Sequence, residues 1–205
     1  MNRTGVALAV AAVGVGKAVL RGRLAHWGAT AAEVDGVLPG DELVETADVV
    51  TTRAITVCAP AAAVWPWIAQ IGQGRGGFYS YDAVENLLGL DIHSAEVILP
   101  EFQAVEVGTT IRLAAEVPLT VALVEPGRAL VLTGSIPMGR LPVPYEFTWT
   151  FALGAGECGT TRLVIRERYG YRLWWAGLIV EPVTVVSFVM TRRMLRGVRD
   201  RAERP

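Results

Sequence analysis

In the segment Tyr145-Glu-Phe-Thr-Trp-Thr-Phe151, four aromatic side chains occupy alternate positions. Successive side chains of a strand point to opposite faces, so Tyr145, Phe147, Trp149 and Phe151 share one face. Rings of this size each contribute about 1.5–3 kcal/mol when taken out of water. A face carrying four of them must therefore pack against a second layer. Strands are expected on both sides of this one, over 109–114, 119–125, 129–135 and 160–169, with 145–153 between them. Turn formers separate them: Glu125-Pro126-Gly127, the loop 137–144, and the glycine-rich stretch 154–159. Connections this short imply an antiparallel meander.

The second layer is expected from helices on either side of the meander. An alternating strand over 49–57 comes first. Pro60 then opens a stretch in which Val64, Trp67, Ile68 and Ile71 recur at helical spacing. Pro66 should kink this helix or confine it to its first turns. A short helix at about 81–88 would place Val84, Leu87 and Leu88 on one side. At the other end, 173–204 is helical in character, with Glu181-Pro182 expected as a break or a fresh start. Val183, Val186, Met190, Met194 and Val198 form its apolar stripe, and Arg192, Arg193, Arg196 and Arg199 populate the remainder. The expected class is α+β, a curved antiparallel sheet around a long C-terminal helix, with a cavity between them.

Composition narrows the alternatives. The 205 residues suit one large domain, or one domain with an appendage. Hydrophobic residues make up 52% and charged ones 19%, which excludes a disordered chain, and two cysteines exclude a disulfide-dense scaffold. Cys58 and Cys158 are expected as reduced thiols. The net charge of −1 conceals a segregation. Residues 1–28 carry four bases and no acid, 29–160 five bases and sixteen acids, and 161–205 ten bases and four acids. A surface for phosphates would sit at the basic ends.

The N-terminus holds an apolar run from Gly5 to Leu20, interrupted by Lys17. As a helix it would reach roughly 24 Å, short of the ~20 residues that a span needs. Three readings stand. A membrane anchor fits the flanking bases Arg3, Lys17, Arg21 and Arg23, which would leave the main domain on the cytoplasmic side. A helix docked on the domain and a signal peptide are the other two, the last without a clear cleavage site. The expected organisation is a hydrophobic helix over 1–25, a polar linker over 26–48 and the main domain over 49–205.

Several stretches resemble a known superfamily. These are Trp27-Gly-Ala-Thr30, Leu38-Pro-Gly-Asp-Glu42, Ala59-Pro60, Val64-Trp-Pro-Trp67, Gln70 to Asp82, Glu85 to Leu90, Asp91-Ile-His-Ser94, Arg166 to Tyr171, and 190–201. With the order of elements, they resemble the helix-grip fold of the START-like superfamily, also called SRPBCC. The local match is to an actinobacterial subgroup of polyketide cyclase/dehydrase type without an assigned activity. The resemblance covers roughly residues 26–204. It implies a fold and a cavity for a ligand, and no reaction.

Gly72–Gly77 and Gly154–Gly159 both match G-x-G-x-x-G, but neither has a strand before it and a helix after it. Nucleotide binding is rejected. His26 and His93 are the only histidines and have no ligand spacing, so neither a metal nor a cofactor is expected. No nucleophile motif is present. The densest polar and aromatic group is Tyr79, Tyr81, Asp82, Glu85, Asn86 and His93. It could orient a ligand at a cavity mouth. Alternatively, Ser80 or Asp82 caps the helix, with Glu85 closing a capping box. Trp149, Glu167 and Met190 complete the candidate ligand-binding set. Arg166 and Arg168 share a strand face. If they point outward as solvated charges, Glu167 is the inward charge among Leu163, Ile165 and Tyr169.

The function expected from these observations is binding of a small hydrophobic molecule, lipid or polyketide-like, in an internal cavity at a membrane surface. Anionic lipid is the expected second partner, with no nucleic acid. A cyclase or dehydratase using cavity acids and tyrosines is one alternative. A membrane-associated interaction module without a ligand is another. A cytoplasmic protein without an anchor is the alternative location.

Overall fold

Val49–Val57 (β1), Thr110–Ala114 (β2), Val117–Glu125 (β3), Ala129–Gly134 (β4), Tyr145–Ala155 (β5) and Thr161–Tyr171 (β6) form one antiparallel sheet. Its order is β1-β6-β5-β4-β3-β2. The coordinates come from a computed structural model that describes residues 22–87, 89–136 and 142–204. Strands β2 to β6 follow one another as a meander, and β1 closes the far edge against β6. The expected strands are all found, within two residues at most of their ends.

The sheet is accompanied by the α-helices Ala31–Asp35 (α1), Ala61–Ala69 (α2), Asp82–Leu87 (α3) and Ala176–Ala202 (α4). Both internal prolines are tolerated, contrary to expectation. Pro66 does not end α2, which runs on until Gln70 N bonds to Pro66 O at 3.4 Å. Trp67, Ile68 and Ala69 beyond it are buried, and that burial offsets one missing backbone donor. Pro182 likewise lies inside an unbroken α4. Ala176 and Val180 before it, and Met194, Leu195 and Val198 after it, are all held in the core.

The inner face of the sheet carries the main core. Tyr145, Phe147, Trp149 and Phe151 are all buried on it, as are Leu163, Ile165, Glu167 and Tyr169. Helices α2 and α4 cover this face. Helix α4 approaches the segment before α3 so closely that a Cβ on Gly197 would meet the Tyr79 carbonyl oxygen at 2.2 Å. Only glycine fits there.

The outer face is not left to water. Arg166 and Arg168 do point outward, but they are not the solvated charges expected. Residues 27–44 fold across that face, with α1 capped by a Thr30–Glu33 capping box. Arg166 is 2% exposed. It donates to the carbonyls of Glu33 (2.6 Å), Val34 (3.0 Å) and Gly36 (2.9 Å), and to Asp41 Oδ2 (2.6 Å). Arg168 binds the Val44 carbonyl, and Arg162 pairs with Glu33 at 2.8 Å. Ala54, Ala152 and Val164 form a small second core here with Ala29 and Leu38. The stretch read as a linker is thus a third layer, because guanidinium groups on the sheet satisfy its carbonyls.

The terminal arginines are also engaged. Arg192 and Arg196 lie over the Trp27 ring, at 5.4 and 5.6 Å from its centroid, and Arg201 and Arg204 pair with Glu96. Cys58 and Cys158 are free and exposed. Among the described residues, no helix is long and apolar enough to cross a membrane. The apolar run from Gly5 to Leu20 lies outside the described residues.

Candidate functional site

Between the inner face of the sheet and the middle of α4 lies a cavity of about 480 Å³. Phe147, Trp149, Glu167 and Tyr169 of β5 and β6 form its floor, with Phe78 and Ile92 beside them. Pro182, Val183, Val186, Ser187, Met190, Thr191 and Met194 come from α4. Leu113, Ala114 and Val117 at the β2–β3 turn, with Val84 and Glu85 of α3, complete the rim. The stripe expected along the terminal helix thus divides in two. Val183, Val186 and Met190 line the cavity, whereas Met194 touches both cavity and core and Val198 is pure core.

One buried polar network sits on the floor. Thr51, Glu167 and Trp149 are aligned across β1, β6 and β5. Glu167 is 3% exposed and fully engaged. Thr51 Oγ1 donates to its Oε2 at 3.2 Å, and Arg53 Nη1 reaches Oε1 at 3.4 Å. Ser187 Oγ also donates to Oε1, and Thr191 Oγ1 does so at 3.3 Å. Arg53, itself 1% exposed, spends its other donors on the carbonyls of Leu24 (3.1 Å) and Thr184 (3.5 Å) and on Ser187 Oγ (3.1 Å). The charge of Glu167 is therefore balanced inside the protein. Burial pushes the neighbouring Tyr169 phenol well above its ordinary range, and the Glu167 carboxylate adds to the shift.

Two lining groups are not balanced. Glu85 is 3% exposed, and its Oε2 has no hydrogen-bond partner. Burial first, and the nearby Asp82 charge second, push its carboxyl up to about 7. The indole Nε1 of Trp149 is also buried without an acceptor.

Of the nine candidate ligand-binding residues, Glu85, Trp149, Glu167 and Met190 line the cavity, and five lie elsewhere. Tyr79 is buried against Trp67, donates to the Trp67 carbonyl at 3.0 Å and lies beneath Arg201. Burial raises its phenol pKa strongly. Tyr81 is on the surface. Asp82 accepts from the Ser94 amide and hydroxyl, both at 2.6 Å. That contact replaces the capping box expected between Asp82 and Glu85. Asn86 holds the backbone of Ile92 from both sides (2.7 and 2.8 Å), and His93 faces the exposed Asp91. These polar groups fasten the loop 91–95 rather than line the cavity. The apolar side expected on α3 is found only in part: Val84 stands half-exposed at the rim, Leu87 faces water, Glu85 turns inward, and Leu88 lies outside the described residues.

Residue-type reasoning missed Arg53, Thr51, Ser187 and Thr191. A signal existed for Arg53, which is in phase with Ile55 and Val57 on β1, as Glu167 is with Ile165 on β6. Two opposite charges at inward positions of neighbouring strands specify a buried pair.

No family model matches the chain, and no curated protein matches it. Several solved structures are similar to it. Protein MLL2253 from Mesorhizobium loti is 15% identical, over 75% of this chain and 96% of that one, with a TM-score of 0.46. Protein Ms6760 from Mycobacterium smegmatis is 13% identical, over 74% and 88%, with a TM-score of 0.47. The Zhui aromatase/cyclase from Streptomyces sp. R1128 is 16% identical, over 76% and 94%, with a TM-score of 0.42. The sheet order, the long terminal helix laid across it and the cavity between them give this chain a helix-grip fold.

Proposed function

We propose that the protein binds a small, largely apolar molecule in the cavity between the sheet and α4. The observation that carries this reading is the cavity itself. About 480 Å³ of space is walled mainly by aromatic and aliphatic side chains, within the range of small-molecule sites. Its largest polar cluster, around Glu167, is satisfied by protein groups and presents no spare charge. A filled core would leave no such space, which speaks against an interaction module without a ligand. Native mass spectrometry of the purified protein tests the proposal. A co-purifying apolar molecule is the expected result, lost when Met190→Trp fills the cavity.

The location at a lipid surface belongs to the same proposal. Trp174 (90% exposed) just before α4, and Leu178 (76%), Val186 (62%) and Val189 on it, present apolar surface beside the cavity, and Arg193 follows on the exposed side. With the flanking bases of the N-terminal run, this supports the cytoplasmic face of a membrane. Flotation with vesicles containing anionic lipid checks it, and Trp174→Glu with Leu178→Glu should abolish binding.

A cyclase or dehydratase would need an acid–base group facing the ligand. Glu85 is the cavity carboxyl with a proton to trade near neutral pH. Turnover lost in Glu85→Gln with ligand binding retained would favour that second reading.

A further inference from the structure

Helix α3 turns its one buried acid toward the cavity beside the half-exposed Val84, while Leu87, which would suit an apolar wall better, faces water. A local choice that contradicts the packing rule marks a position kept for something other than packing. Glu85 Oε2 is out of contact with water and has no protein donor. Around the cavity, the described lining residues include two carboxylates, Glu85 and Glu167, and no lysine, arginine or histidine. Glu167 already has Arg53. The charge acting on Glu85 is that of Asp82, a like charge that raises its pKa further, and Asp82 itself is bound to Ser94. The cavity therefore has one uncompensated negative site in an apolar surround. A buried carboxylate in that state is costly unless a cation or strong donor joins it.

We propose, resting on the ligand-binding reading above, that the cavity takes a lipophilic amine, an apolar molecule whose ammonium group pairs with Glu85. A fatty acid or other anionic amphiphile meets repulsion from Glu85 and finds no cation among the lining residues. A neutral alcohol of the same length gains the apolar contacts and one hydrogen bond. The amine gains a charge-assisted bond in a desolvated site, in a cavity that Trp149 and Phe78 also line.

The test measures calorimetric binding of three probes of one chain length, dodecylamine, dodecanol and dodecanoate, below their aggregation limits and at about pH 8, where Glu85 is ionised. The expected order for the wild-type protein is amine, then alcohol, then carboxylate. In Glu85→Gln, the amine should lose roughly tenfold or more in affinity while the alcohol changes little. Carboxylate binding to the wild type as tightly as the amine overturns the proposal. So does an amine preference that survives in Glu85→Gln. Equal binding of all three probes sinks the amine proposal but leaves the cavity reading intact, whereas no binding by any of them removes both. The wild-type comparison stands even if the variant fails to fold.

Discussion

Arg53 and Glu167 lie on the neighbouring strands β1 and β6 and meet at 3.4 Å, with side chains only 1% and 4% exposed. Each is a buried counter-charge to the other, and Ser187 of α4 bonds to both. The pair therefore joins the sheet edge to the helix. Removing one member leaves the other charged and dry. Arg53→Met should destabilise the protein by about 3–5 kcal/mol in urea unfolding. The double variant Arg53→Met with Glu167→Leu should recover much of that loss, since no charge is then stranded. A single variant as stable as wild type would show that the pair is not the fastening described.

The acidity of Glu85 predicts a pH dependence of stability. Its carboxyl titrates near 7 in the folded protein against 4.5 in the unfolded chain. Between those values the folded state holds more protons than the unfolded one, so stability falls as pH rises from about 4.5 to about 7 and then levels off for this group. Urea midpoints measured across that interval should slope downward for the wild type relative to Glu85→Gln. Parallel curves would contradict the burial of the carboxyl.

Trp149 is the only one of six tryptophans that lines the cavity. An apolar ligand should therefore change the intrinsic fluorescence through this ring. Trp149→Phe should remove the ligand-dependent part of the signal and leave the emission of the other five. A signal that persists in the variant would place the ligand elsewhere.

Arg166 predicts a local rather than global effect. Its guanidinium holds three backbone carbonyls and Asp41 in the layer over the outer face. Arg166→Met should cost at least about 2 kcal/mol and speed hydrogen exchange across residues 30–44 before the inner core opens. Exchange unchanged in that stretch would mean that other contacts hold it.

Periodicity made the sheet and the terminal helix readable. Alternation in Tyr145–Phe151 reports a two-sided environment directly, and short turns leave antiparallel pairing as the only option. The prolines misled because a propensity describes an isolated helix, whereas Pro66 and Pro182 sit in helices held by burial on both sides. The site was half legible. Glu167 could be assigned inward from its phase on β6. Tyr79, Asp82 and Asn86 could not be separated from Glu85, because a short helix gives no phase and their loop partners at 92–94 are fixed only by the fold. Arg53 was masked by its type. A base in a strand reads as solvated until a facing acid is found.

The layer formed by residues 27–44 also bears on where the folding unit begins. Without it, Arg166 and Arg168 would lose the carbonyls that hold them, and Ala54, Ala152 and Val164 would lose their cover. A fragment cut at the first residue of β1 would expose one whole side of the sheet. The folding unit is a sandwich of three layers, segment, strands and helix, and among the described residues it already includes Leu24, whose carbonyl accepts from Arg53 well ahead of the first strand.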